Sequence, residues 1–161
     1  MRRSRVVLAL LIAPLAALPG CGSGDTVWAS GRLVKGGDPY VAPPDQSLQV
    51  TFISTDATAG KAGEYGADVD QAKGTFVLSG AEGQGIPPGK YRVVITQKLR
   101  REAFDAARAK SRSKKRLDRE DDTLGGRFGA ASSTVILREV KPGGGEMVID
   151  LDKPLETAQV P

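Results

Sequence analysis

Two adjacent prolines followed by a glycine, Pro87-Pro88-Gly89, set the tightest limit on how this chain can fold. Each proline lacks a backbone N–H and holds φ near one value, so no strand can begin before Gly89, which supplies the freedom to turn the corner. In the run Lys90-Tyr91-Arg92-Val93-Val94-Ile95-Thr96, the residues Tyr91, Val93 and Ile95 share one face. That period of two predicts a half-buried strand, around which the other elements are arranged.

The rest of the composition agrees with a strand-and-turn protein. The chain has 161 residues, enough for one core and short for two domains, and its 20 Gly and 10 Pro suit short strands joined by many turns. Histidine and asparagine are absent, and Cys21 is the one cysteine. A disulfide framework within the chain is therefore excluded, as are the usual zinc sites, the Ser-His and Cys-His nucleophile pairs and the N-glycosylation acceptor.

Residues 1–20 read as a secretory leader. Arg2, Arg3 and Arg5 precede an apolar run, 6–18, that is too short to span a bilayer comfortably. The run ends in Leu18-Pro19-Gly20-Cys21-Gly22, which resembles the lipobox of bacterial lipoproteins. The resemblance implies cleavage before Cys21 and acylation of its thiol and new amino group, and several acyl chains would hold the protein on a membrane. Gly22 rather than Asp after the cysteine favours, by the sorting pattern it resembles, the outer membrane of a cell that has two. Residues 21–26 then form a short Gly/Ser-type tether.

Strands are expected over 27–34, 47–54, 65–69, 75–78, 89–96, 135–140 and 146–151. The segments 65–69 and 75–78 read as one hairpin across Asp70-Gln71-Ala72-Lys73-Gly74, and Leu48, Val50 and Phe52 share the inner face of their strand. A first strand ending at Gly36-Gly37-Asp38-Pro39, a hairpin closing on Gly74-Thr75-Phe76, and Ile86-Pro87-Pro88-Gly89-Lys90-Tyr91 together resemble the carboxypeptidase regulatory-like domain. The Ser/Thr loop, Pro-Gly turn and closing Ile149-Asp150-Leu151 resemble the end of that family. The resemblance covers about 110–120 residues and implies an all-β fold, a single Greek-key-type β-sandwich of about seven strands, transthyretin- or prealbumin-like, over 27–151. Residues 152–161 read as a flexible tail.

One segment departs from the sandwich pattern. Residues 98–119 carry a net charge of +7, whereas the chain without its three leader arginines is near neutral, at +1. Leu99, Ala103, Ala106 and Ala107 follow a helical spacing, after which 110–115 offers no apolar stripe, so 98–120 reads as a basic insertion between two late strands, helical at its start. A charge run of this kind most often only solvates. Its functional reading is an electrostatic adaptor in which Lys110, Arg112, Lys114, Lys115 and Arg116 bind anionic lipid or envelope polymer. Phe104 is the one aromatic there, too few for base stacking, and export also argues against nucleic acid.

Chemistry-bearing constellations are sparse. Asp68 and Asp70 alternate as a calcium loop would require, but Lys73 stands where an oxygen ligand is wanted and no closing Glu follows. Gly83, Gly85 and Gly89 lack the helix and Lys-Ser/Thr pair of a phosphate cradle. Relatives of the transthyretin sandwich that hydrolyse a purine-derived ring depend on histidines and a C-terminal Tyr-Arg-Gly-Ser motif, neither of which is present. Glu64, Asp68 and Asp70 are the carboxylates nearest one another for a small envelope hydrolase, the second alternative. The leading expectation is a non-catalytic module tethered through Cys21, with no cofactor and no metal, binding an envelope protein or anionic polymer through loops or strand edges.

Overall fold

The computed structural model describes residues 26–55, 63–110 and 122–154. Nine strands form two sheets among these residues. The first sheet holds β1 (Ala29–Lys35), β2 (Asp38–Pro39), β5 (Asp68–Asp70), β6 (Thr75–Leu78) and β9 (Gly145–Asp150). The second holds β3 (Gln46–Ser54), β4 (Glu64–Gly66), β7 (Gly89–Leu99) and β8 (Leu137–Val140), in the order β4-β3-β7-β8. Pairing is antiparallel except between β1 and β9, which run parallel from Ala29↔Gly145 to Val34↔Asp150.

The double proline acts as its chemistry requires. β7 starts at Gly89, whose φ of 154° is one that L side chains rarely adopt, and Tyr91, Val93 and Ile95 are all buried. β7 pairs with β3 over nine residue positions, from Gln46↔Leu99 to Ser54↔Tyr91, which brings Leu48, Val50 and Phe52 onto the same inner face. From the opposite sheet come Leu33, Phe76, Leu78 and Ile149. The Phe52 ring lies 5.8 Å from Phe76 across the two layers and 6.1 Å from Tyr91 edge-on, while Tyr65 meets Tyr91 at 6.0 Å. Each such side chain taken from water contributes roughly 1.5–3 kcal/mol, and edge-on aromatic pairs add about 0.5–1.5 kcal/mol. Gly31 makes room for this packing, because a Cβ there would sit 2.4 Å from Cζ of Phe76 and 2.6 Å from the Met147 carbonyl oxygen.

Three expectations are corrected. The strand expected over 65–69 is two strands: Tyr65 belongs to β4 and pairs with Phe52, then at Ala67 the chain leaves for the other sheet, where Val69 pairs with Phe76 in β5. The expected partnership of 75–78 therefore holds only from Asp68 onward. Leu99 is not helical but closes β7, and the helix α1 (Arg101–Lys110) is anchored instead by Phe104, buried between half-buried Ala103 and Ala107. Finally, β8 begins at Leu137 rather than 135, since 134–136 run alongside β7 without strand pairing beyond the Ile136 carbonyl, which accepts from Val93 N at 3.0 Å.

One long margin of the sandwich is closed by a buried cation. Arg138, on β8, donates Nη1 to the carbonyls of Leu137 (2.7 Å) and Pro154 (3.3 Å) and Nη2 to that of Val148 on β9 (3.4 Å). Its side chain therefore bridges the edge strands of both sheets. Burial lowers the guanidinium pKa below its ordinary value. Past β9 the chain stays docked through Pro154: Leu151 N donates to Val34 O at 2.9 Å, and Asp152 Oδ2 accepts from Gly36 N at 2.8 Å.

Candidate functional site

The opposite margin is open. On the far side of β7, Val93 N donates to Ile136 O, Ile95 N to Phe128 O and Gln97 N to Asp122 Oδ1. An antiparallel ladder alternates bonded and non-bonded pairs, so these three contacts make Phe52↔Val93, Val50↔Ile95 and Leu48↔Gln97 the non-bonded ones. The N–H and C=O groups of Leu48, Val50 and Phe52 must then point away from β7. At Phe52 they meet β4, and the Val50 carbonyl accepts from Ala67 N at 2.9 Å. At the other end, the Gln46 carbonyl accepts from Arg100 Nε at 3.0 Å. Between those closures, the Leu48 N–H, the Leu48 carbonyl and the Val50 N–H have no hydrogen-bond partner among the described residues. The gap exists because β4 is three residues long and the chain crosses sheets at Ala67.

A groove of about 510 Å³ runs along this gap. One wall is β3 over residues 47–51 and the other comes from residues 64–71. Its ionisable lining side chains are Glu64 and Asp68, both exposed, with no lysine or arginine among the lining residues. Buried backbone donors and acceptors are nearly always paired, so a short unpaired run facing a groove is a place where water or another chain must complete the ladder.

A polar cluster at the end of β7 holds the other side in place. Gln97, only 3% exposed, accepts from the Tyr40 hydroxyl through Oε1 at 2.6 Å and donates from Nε2 to Gln46 Oε1. Thr123 Oγ1 lies 2.7 Å from Gln46 Oε1 and 2.9 Å from the Gln97 carbonyl. Asp122 ties the following loop down by accepting from Gln97 N and Leu124 N on Oδ1 and from Gly126 N on Oδ2. Tyr40, Gln46, Gln97, Asp122 and Thr123 do not stand out in the sequence reading. The available signal was parity: Gln97 continues the inward series Tyr91, Val93, Ile95, and an inward polar residue needs partners.

The residues expected to carry function fall in different places. Cys21, Arg112, Lys114, Lys115 and Arg116 lie outside the described residues. Lys110 is the exposed last residue of α1, where it and Arg108 complement the negative end of the helix dipole. Glu64 sits on β4 of one sheet, Asp68 and Asp70 on β5 of the other, and all three are exposed. Asp70 bonds Lys73 at 3.0 Å, and that hydrogen bond holds its carboxyl below the ordinary carboxylate range. Lys73 thus occupies Asp70 in the way a ligand would, and no group of three or more His, Cys, Asp or Glu placed to hold a metal occurs among the described residues. Asp68 Oδ2 accepts from Ser79 Oγ at 3.3 Å.

A second depression, of about 470 Å³, lies on the outer face of the β3-β7-β8 sheet and is lined by Thr55, Lys90, Arg92, Leu137, Arg138 and Glu139. Arg92 Nη1 donates to Ala131 O at 2.8 Å and Thr55 Oγ1 to Lys90 O at 3.0 Å, so two of its polar groups are already engaged. Lys90 and Glu139 stand opposite one another in the ladder. Mixed charge and engaged donors give this face little to offer an anion.

No protein family, curated protein or solved structure matches this chain. What it can bind is set by its own surfaces, among them the β3 edge, where groups of Leu48 and Val50 face a groove without a partner among the described residues. No helix among the described residues is long and apolar enough to cross a membrane.

Proposed function

We propose that this chain is a non-catalytic β-sandwich lipoprotein that works at a bacterial cell envelope as a binding module, held to a membrane, the outer one where there are two, by acylated Cys21. The observation that carries the binding half is the open edge of β3, where two N–H groups and one carbonyl face a groove with no partner among the described residues. Strand addition to such an edge supplies affinity from backbone hydrogen bonds without requiring a closed pocket. The arginine-led leader and the Leu18-to-Cys21 lipobox support the tether. The two-layer core and the Pro-Pro-Gly start of β7 support a sandwich of the carboxypeptidase regulatory-like, transthyretin type.

Fatty-acid labelling with membrane fractionation, run on the native chain beside Cys21→Ser, tests the tether. Label and membrane association are expected to disappear together in Cys21→Ser. A native chain that is unlabelled and recovered in the cell interior would overturn it.

A further inference from the structure

We infer that the open stretch of β3 takes an extended, basic segment of a partner protein as an added strand, an assignment that rests on the binding-module reading above. The three groups without a partner among the described residues come from Leu48 and Val50, which stand two positions apart on one edge. In either strand direction, two partner residues separated by one can satisfy all three: one returns both bonds of a pair or splits them with its neighbour, and the Val50 N–H reaches the next carbonyl. Arg100 at Gln46 and Ala67 at Val50 bound the slot at its two ends, so it admits a short segment and not a long ladder.

Charge selects the occupant. Glu64 and Asp68 are the ionisable side chains that line the groove, and among the described residues Asp68 carries only a hydroxyl contact from Ser79. The Arg100 guanidinium at the slot's end is engaged by the Gln46 carbonyl at 3.0 Å and by Gln71 Oε1 at 3.3 Å. An acidic segment would meet two like charges across a narrow gap, whereas lysine or arginine side chains projecting from the added strand would meet opposite ones. A second copy of this chain pairing through the same edge would bring the acids of both copies to one seam.

The test uses the full chain, labelled with ¹⁵N, in neutral detergent micelles, with three capped peptides: Lys-Val-Lys-Val-Lys-Val-Lys, its backbone N-methylated analogue, and Glu-Val-Glu-Val-Glu-Val-Glu. The expected result is that the basic peptide shifts the Leu48 and Val50 amide signals and slows their hydrogen exchange. Its affinity should exceed those of the N-methylated and acidic peptides by at least about tenfold, the equivalent of one to two net hydrogen bonds. Glu64→Gln together with Asp68→Asn, both at exposed positions, should abolish the preference for basic over acidic peptide while leaving the protein's own spectrum intact.

Equal binding of the N-methylated peptide would overturn strand addition. Equal or tighter binding of the acidic peptide at the same amides would overturn the assigned charge and leave the binding-module reading standing. Leu48 and Val50 amides protected without peptide would show another occupant: the chain itself if protection is independent of concentration, a second copy if it grows with concentration. A chain that is acylated and membrane-bound yet ignores every peptide would overturn this inference and leave the tether intact.

Discussion

The Tyr40 hydroxyl donates to Oε1 of buried Gln97 at 2.6 Å, joining the connection after β2 in one sheet to the central strand of the other. No other donor to that Oε1 is present among the described residues, so Tyr40→Phe leaves a buried acceptor unmet. Because Tyr40 is only half-buried and water can reach part of the gap, the expected loss is about 1–2 kcal/mol in urea unfolding, with no change in the β signal of far-UV circular dichroism. A loss near zero would mean the cluster does not restrain the fold.

Arg138 bridges the margin of β8 and β9, opposite the open edge of β3. Arg138→Lys keeps the charge but loses the planar fork that reaches the Leu137, Val148 and Pro154 carbonyls together, and should cost about 2–3 kcal/mol in the same measurement. Stability equal to the native chain would contradict a structural role for the fork.

Tyr91 gives a pH dependence. Burial, with a smaller contribution from neighbouring Tyr65, pushes its phenol pKa up from 10.0 to about 12. The folded state prefers the protonated phenol and the unfolded chain ionises first, so its contribution is fully present below pH 10 and is lost as pH rises toward 12. The urea midpoint should be flat from pH 8 to 9.5 and then fall. Tyr91→Phe should reduce that alkaline fall, at the expense of the hydroxyl bond to the Pro87 carbonyl. An unchanged fall in the variant would assign it to other groups.

Gly31 tests the packing between β6 and β9. Gly31→Ala drives a methyl group against the Phe76 ring on one side and the Met147 backbone carbonyl on the other, and the carbonyl cannot yield without moving β9. The expected destabilisation is about 2–3 kcal/mol. A neutral substitution would contradict the close approach.

How much of this was legible in the sequence depends on which interaction a residue reports. Leu48, Val50, Phe52, Tyr91, Val93 and Ile95 reveal the inner faces of β3 and β7, because side-chain direction alternates with a fixed period whatever the strand pairs with. The break at Ala67 leaves no such mark. Tyr65, Ala67 and Val69 alternate without interruption and are all half-buried, while the hydrogen-bonding partner changes from β3 to β6 beneath that unbroken pattern. The open edge was hidden for the same reason: whether the N–H of Leu48 faces β7 or the groove follows from register, which composition does not carry. In the helix, the spacing of Leu99, Ala103, Ala106 and Ala107 suggested a stripe, but Phe104 offers far more apolar area than alanine and sets the buried face, freeing Leu99 to complete β7.

The most direct measurement is amide hydrogen exchange along β3 in the unliganded full chain. Gln49 and Thr51 direct their N–H groups into β7, whereas Leu48 and Val50 direct theirs into the groove. Slow exchange is expected at Gln49 and Thr51, and exchange faster by at least about two orders of magnitude at Leu48 and Val50. Uniformly slow exchange at all four would show that the edge is already paired, and with it the proposed binding surface would fall.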